Sequence, residues 1–431
     1  MTERTMKTLT ERLRLEIFMD FIKLWVPLGV LIGVICGLVM VGFQFCVDIL
    51  TKSLSPYPKW ILPLFGGLVT SIMIKLGYEE VRGSGISVVV QMSHEDKVIP
   101  HRVAFTKLLA TIVSVGTFCP VGREGPTVLA GAGIGSFILK RMKQEHLQVS
   151  KLDPRFTDDI FYAMGSAACT AAIFKAPLGG AIFSAEVPYK RDIAPVYLPA
   201  MVSAIVSYLV FNLFYGIRPI LDIPIGGEIL SITMVPLVIF LGISAGLIGV
   251  VFSTVFLASR RIMTKFLNPV LCPIVGASFT CIIIFIVEML LKQNILTVAG
   301  LGYDVIQFIG TTTIALEIII LLLIAKILAT SLTVGSGISG GVLAPSLFVG
   351  AMLGAIFAHF FPVDLGLMVF LGMTSVLCAT TKSPLSASLF IVEMSINPIL
   401  IIPIAIVNIV SYLFSGGFSL YESQRANRET P

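Results

Sequence analysis

Lys326-Ile-Leu-Ala-Thr-Ser-Leu-Thr-Val-Gly-Ser-Gly-Ile-Ser-Gly-Gly-Val-Leu-Ala-Pro345 runs out of one apolar segment, through a glycine-rich break, into another. An earlier stretch repeats it. Lys107-Leu-Leu-Ala-Thr111 aligns with Lys326-Ile-Leu-Ala-Thr330 at an offset of 219 residues. At the same offset Gly116 meets Gly335, Gly122 meets Gly341, Pro126 meets Pro345, Gly131 meets Gly350 and Gly135 meets Gly354. Further on the offset becomes 207, where Lys175, Pro177, Leu178, Phe183 and Glu186 meet Lys382, Pro384, Leu385, Phe390 and Glu393. Biased composition aligns a few glycines by chance. It does not also align lysine with lysine twice and glutamate with glutamate beside apolar runs. The chain therefore holds two homologous halves. Broken helices in matching places of two repeats put a substrate site near the bilayer midplane, where half-helix ends converge. Similarity alone leaves open whether the halves are parallel or inverted.

The composition sets the solvent. Of 431 residues 56% are hydrophobic and 13% charged, and mean hydropathy is +0.96. A soluble core of this size does not hide so much apolar surface, and disordered chains are polar or highly charged. The expected fold is an all-α polytopic membrane protein with broken, tilted helices. Apolar runs fall near 22–50, 59–77, 103–119, 126–140, 160–187, 193–215, 229–258, 268–291, 314–334, 342–361, 366–379 and 384–414. Several are too short to cross about 30 Å of hydrocarbon. Interrupted helices persist in a bilayer only where the freed backbone faces protein or a wet cavity, so the breaks mark a polar pathway. The organisation expected is a cytoplasmic segment at 1–21, a first membrane repeat at 22–216, a second at 217–420 and a short tail at 421–431, with no regulatory soluble domain.

Basic clusters orient the chain. Arg4, Lys7, Arg12, Arg14 and Lys23 precede or open the first run. Lys140, Arg141, Lys143, Lys151 and Arg155 form a second cluster, Lys190 and Arg191 a third, and Arg260, Arg261 and Lys265 a fourth. The positive-inside rule makes all of them cytoplasmic. The net charge of +5 forms no water-facing basic stripe, so no nucleic-acid partner is expected. Seven cysteines without a CxxC pair and four histidines without zinc spacing predict no metal site and no cofactor. An intramembrane enzyme would need a Ser/His pair, paired aspartates or HExxH within the apolar runs, and none occurs.

Four places carry candidate chemistry. Val121-Gly-Arg-Glu-Gly-Pro126 opens an apolar helix whose unpaired N–H groups attract an anion. Glu124 sits there, either as a functional carboxylate or in a structural ion pair with Arg123. Gly335 to Pro345 opens another apolar helix and exposes the amides of Val342 and Leu343. Its GxGxxG spacing lacks the βαβ context and downstream acid of a dinucleotide site. Gly83-Ser-Gly-Ile-Ser87 repeats the five letters of Gly335 to Ser339 and offers the Ser84 hydroxyl. Tyr421 follows the last run, as an interfacial anchor or a donor. Amides and hydroxyls without a contacting cation suit a small dehydrated anion that must also leave. When no anion is present the same donors hold the Glu124 carboxylate. Protonation would free the site, so anion occupancy and protonation are linked.

Over about Ile22 to Tyr421 these loops, in this order, resemble the CLC family of chloride channels and proton–chloride exchangers. GSGIS at 83–87 is similar to the family's GSGIP, GREGP at 122–126 matches its second motif, and GVLAP at 341–345 fits GxFxP with leucine for phenylalanine. The resemblance implies a homodimer of subunits, each with its own anion pathway and two inverted repeats. It implies that Ser84 and Tyr421 bind the central anion by their hydroxyls, that Val342 and Leu343 add amide contacts, and that Glu124 is the outer gate. It departs from the family in three ways. Val187 follows Glu186 where proton-coupled members often carry a second, inner glutamate. Ser87 replaces proline, and no acidic residue follows from Val88 to Gln91. Paired cytoplasmic regulatory domains are missing, as in compact prokaryotic members. The expected function is chloride transport gated by Glu124, passive or weakly proton-coupled, in a prokaryotic plasma membrane with both termini cytoplasmic. A chloride/proton antiporter is the alternative. The repeated lysines and glutamates are expected to pack helices or bind backbone rather than conduct.

Overall fold

The computed structural model describes residues 21–94, 99–144, 154–188, 194–226, 231–292, 295–421 and 424. Arg4, Lys7, Arg12, Arg14, Lys151, Lys190 and Arg191, the segment 1–20 and most of the tail lie outside the described residues. Among the described residues there are sixteen α-helices and no sheet. The first eight are α1 (Val26–Leu54), α2 (Pro63–Lys75), α3 (Ile86–His94), α4 (His101–Gly116), α5 (Glu124–Gln144), α6 (Pro154–Phe174), α7 (Pro177–Glu186) and α8 (Ala194–Tyr215). The second eight are α9 (Val235–Phe266), α10 (Cys272–Leu291), α11 (Tyr303–Thr311), α12 (Leu316–Gly335), α13 (Leu343–Phe360), α14 (Leu365–Thr381), α15 (Pro384–Ser395) and α16 (Ile401–Phe414). The two sets match in order, most closely in the 29- and 32-residue α1 and α9 and the nine-residue α3 and α11.

Local chemistry sets the breaks. Proline stands in the first turn of α1, α2, α7, α9, α10 and α15, where its missing N–H has no acceptor to lose. The apolar run at 160–187 is two helices rather than one. Lys175 turns left-handed (φ 52°) after α6, and Pro177 starts α7. Lys382 (φ 57°) and Pro384 do the same between α14 and α15. A further break at Ile396 (φ 52°) divides the run at 384–414.

Six helices among the described residues are long and apolar enough to cross a membrane, including Ile22–Leu54, Val235–Phe266 and Leu316–Gly335. The outer surface agrees with a lipid solvent: Phe45, Phe65, Leu209, Leu213, Phe279 and Phe414 are all at least half exposed. Water does not tolerate so much contiguous apolar surface on a soluble monomer. Inside, backbones approach closely through small residues. Gly131 on α5 lies against the Gly165 carbonyl on α6, and Gly350 on α13 lies against the Gly372 carbonyl on α14. Without a hydrophobic drive between helices in lipid, such contacts carry the packing. The protein is a multi-pass membrane protein.

Candidate functional site

The halves meet at the starts of α5 and α13. Gly122 and Gly341 form an antiparallel bridge, N–H to carbonyl in both directions at 2.7 and 2.5 Å. Neighbouring bonds are reciprocal as well. Thr330 donates to the Pro120 carbonyl at 2.9 Å, and Thr111 bonds the Ser339 hydroxyl at 2.8 Å. Ser114 donates to the Ser339 carbonyl. Equivalent residues thus face one another across an approximate two-fold axis. Helices α5 and α13 touch little beyond these starts, so they point away from each other. Inverted halves produce this arrangement. It aims two positive helix ends at one point inside the bilayer.

Two lysines hold the flanking loops. Lys107 is fully buried, and its ammonium donates to the carbonyls of Val81, Arg82 and Gly83 at 2.8, 3.1 and 2.5 Å. Lys326, also fully buried, donates to Val298 and Gly300 at 3.0 and 2.8 Å. Both ammonium groups bind backbone carbonyls. Gly83 (φ 64°) and Gly85 (φ 85°) take up a left-handed geometry that residues with a Cβ rarely adopt, and so the Ser84 loop folds back onto α5. Its backbone packs so closely on Gly125 that a Cβ there would strike the Ser84 carbonyl.

Glu124 is fully buried at the first position of α5. Its carboxylate lies beside Gly122 and Gly341 and against the amide of Ala344. The Tyr303 hydroxyl donates to Oε1 at 3.4 Å, while Oε2 has no hydrogen-bond partner among the described residues. Arg123 turns away, donating to Gln44 and to the Ile173 carbonyl at 3.4 Å, and forms no ion pair with Glu124 among the described residues. Proline at 126 and at 345 leaves the third position of each helix without an N–H. The unpaired donors there belong to residues 123–125 and 342–344. Tyr421 is buried, 1% exposed, and lies within electrostatic reach of Glu124. Its hydroxyl also lacks a partner among the described residues. Ser84 is half-buried and lines a cavity of about 350 Å³ together with Arg82, Glu80, Arg260, Gly335 and Leu420.

Ser84, Glu124, Val342, Leu343 and Tyr421 therefore converge from four separate parts of the chain. Val187 does not join them. It caps the C-terminus of α7, 2% exposed, with an apolar side chain. The neighbouring Glu186 is occupied, accepting from the amides of Leu385 and Ser386 at 3.3 and 3.0 Å. Two contributors are not evident from sequence motifs. The Ala344 amide becomes visible only once the helix start is placed. Tyr303 opens α11 just after a turn at Gly300 to Gly302, and the segment 300–304 shares with its repeat partner at 83–87 just its two glycines at an offset of 217 residues.

The family model for voltage gated chloride channels matches residues 69–416. The chain is 26% identical over 426 residues to the H(+)/Cl(-) exchange transporter ClcA of Vibrio cholerae serotype O1, covering 91% of this chain and 87% of that protein. It is 26% identical over 417 residues to the voltage-gated ClC-type chloride channel ClcB of Escherichia coli O17:K52:H18, covering 89% and 94%. Among solved structures, the crystal structure of a CLC-type fluoride/proton antiporter superposes with a TM-score of 0.79 at 23% identity, over 94% of this chain and 98% of that one. A slow cyanobacterial Cl-/H+ antiporter superposes at 0.78 and 21% identity, over 92% and 96%. These likenesses show the fold, and the family model decides membership. The chain belongs to the voltage gated chloride channel, or CLC, family of membrane anion transport proteins.

Proposed function

We propose that this protein is a chloride/proton antiporter in which Glu124 is both the gate and the proton-carrying group. The observation that carries the reading is the fully buried Glu124 carboxylate at the meeting point of two helix N-termini, beside donors able to bind an anion. Ionised, it fills that nest as an intramolecular anion. Chloride competes for the same N–H and O–H groups, and protonation removes the competing charge. Each entry of chloride then favours a protonated, displaced Glu124, which is the linkage exchange requires. Ser84 and Tyr421 supply hydroxyls to the central anion, and Val342 and Leu343 supply amides. This hydroxyl pair matches the chloride type of pathway rather than the fluoride type.

The expectation of passive or weakly coupled flow gives way on weight. Matches over most of the chain include proteins named as exchange transporters. One observation still favours a passive pathway. Val187 offers no proton acceptor and Glu186 is held by two amides, so a proton from the cytoplasm must pass this region on water. Purified protein in proteoliposomes, with an imposed chloride gradient and simultaneous chloride and pH recording, decides the matter. Sustained uphill proton movement is expected. Chloride flow without it would overturn exchange and leave a passive pathway. We also propose a homodimer, a division of the repeats at 216/217, and a prokaryotic plasma-membrane location with cytoplasmic termini. The cavity at Ser84 would then open to the cytoplasm, on the side of Arg260, Arg261 and Lys265.

A further inference from the structure

We infer that Tyr303 is the latch of the Glu124 gate, a positioning residue whose hydroxyl holds the carboxyl closed from the side opposite the Ser84 cavity. This rests on the proposed role of Glu124 as gate.

The inference begins with one loop used twice. Gly83 and Gly85 have φ of 64° and 85°, and Gly300 and Gly302 have φ of 64° and 90°. The Gly83 amide donates to Gly337 at 3.2 Å, and the Gly300 amide donates to Phe118 at 2.8 Å. Phe118 and Gly337 are themselves counterparts at the 219-residue offset, and both have positive φ, 55° and 102°. A buried lysine grips each loop by its carbonyls, Lys107 one and Lys326 the other. The inverted halves therefore set the same device on opposite sides of the Gly122–Gly341 bridge. In the first half the loop presents the Ser84 hydroxyl to a cavity. In the second half Leu301 stands at that position, and the hydroxyl arrives two residues later, on Tyr303 at the first position of α11.

The second loop has little freedom to move. Lys326 lies over the Phe348 ring at 4.8 Å while gripping Gly300, and Gly302 is pressed against that same ring. The half-buried Tyr303 is thereby fixed with its hydroxyl 3.4 Å from Glu124 Oε1. Among the described residues, the charged and titratable groups around this carboxyl are Arg123, Tyr303 and Tyr421. The Arg123 guanidinium is turned to Gln44 and Ile173, and the Tyr421 hydroxyl makes no bond among the described residues. Tyr303 is the one side chain of the three that donates to the carboxyl. A phenol O–H donates more strongly to an ionised carboxylate than to a neutral acid, so it stabilises the closed, charged state.

The test measures chloride flux against pH in proteoliposomes for wild type, Tyr303→Phe, Glu124→Gln and the double variant. Loss of the donor eases protonation, so Tyr303→Phe is expected to move half-maximal flux to higher pH by about 0.5–1 unit, a threefold to tenfold change in the protonation equilibrium of the order expected for one hydrogen bond. Tyr303→Leu, which also lacks the hydroxyl, must shift it the same way. In the Glu124→Gln background Tyr303→Phe is expected to change nothing. An unshifted Tyr303→Phe profile beside a flattened Glu124→Gln profile overturns the latch and leaves the gate standing. A Tyr303 effect that survives in Glu124→Gln overturns it too, because the hydroxyl then acts elsewhere. A Glu124→Gln profile as steep as wild type removes gate and latch together.

Discussion

Glu186 and Glu393 each cap the other's half of the molecule. The Glu186 carboxylate accepts from the amides of Leu385 and Ser386 at the start of α15. The Glu393 carboxylate accepts from Leu178 and Gly179 at the start of α7, at 3.0 and 2.8 Å. Both pairs obey the 207-residue offset, so one acid position does one job twice. A helix start leaves N–H groups without acceptors, and a carboxylate there satisfies two of them while meeting the positive end of the helix dipole. Phe390 on α15 packs, tilted, against both Phe174 and Phe183, at 4.8 and 5.5 Å between centroids, and closes the same seam with apolar contact.

Removing one clasp should therefore cost stability rather than alter gating. Glu393→Ala is expected to lower stability by about 0.5–1.5 kcal/mol, because it removes the acceptor of two amides, one exposed and one partly buried. Glu393→Gln, which keeps an acceptor, should cost less. Thermal unfolding in detergent measures both. Chloride flux against pH for the folded fraction should keep its wild-type shape, and a moved profile would assign Glu393 to the pathway instead.

These clasps were legible as a repeat but not as a pairing. Identical letters at one offset reveal Lys107 with Lys326 and Glu186 with Glu393, because a buried charge is costly and is kept only where a job requires it. Which amides each carboxylate meets depends on inversion, which similarity does not encode. The break after Lys175 is marked in the sequence by Pro177, whereas the one at Ile396 hides inside an apolar run, since hydropathy is blind to a single left-handed residue. Helices α3 and α11 are nine residues each and fall outside every long run. Tyr303 escaped because its loop keeps only the backbone of its counterpart. Two glycines preserve the turn, while Ser84, Ile86 and Ser87 are replaced by Leu301, Tyr303 and Asp304. By contrast Ser84, Glu124 and the Val342 amide stand in motifs whose glycines and prolines dictate where a helix begins, and the structure places them together.

Glu124→Gln removes the competing charge and the titration in one step. Chloride flux should lose most of its pH dependence, and its rate near neutral pH should rise. Proton movement driven by a chloride gradient should stop, since the amide carries no exchangeable charge. Paired chloride and pH electrodes on the same liposomes read all three. A variant that still drives protons uphill would move the proton-carrying role to another residue.

Tyr421→Phe and Ser84→Ala each delete one hydroxyl donor to the proposed central anion. Net hydrogen-bond contributions of roughly 0.5–1.5 kcal/mol predict chloride affinity weakened by about twofold to tenfold for either variant. Tyr421 sits 1% exposed with its hydroxyl unpaired among the described residues, so Phe fills the same space and the fold should hold. Isothermal titration with chloride on detergent-purified protein gives the number. Unchanged affinity in Tyr421→Phe would make the phenol an anchor only.

The Ser84 cavity is charged at its walls, and that should govern how anions reach it. Arg82 and the exposed Arg260 line it together with Glu79 and Glu80. Arg102 lies 3.6 Å from Glu80, and the Thr106 hydroxyl bonds the same carboxylate at 3.3 Å, which draws that acid toward its own partners. With Glu80 offset by Arg102, Arg82 and Arg260 outweigh Glu79 in the lining, and a low-dielectric funnel concentrates the counter-ion that this net positive wall attracts. Arg260→Gln and Arg82→Gln should each lower chloride flux severalfold at low ionic strength. The deficit should fade as salt rises, because the screening length falls from ~30 Å at 0.01 M to ~3 Å at 1 M. Flux measured across that salt range distinguishes steering from damage. A deficit of constant size at every ionic strength would mean that the substitution had distorted the Gly83 to Ser87 loop, where Lys107 also holds the Arg82 carbonyl, and had left the field untouched.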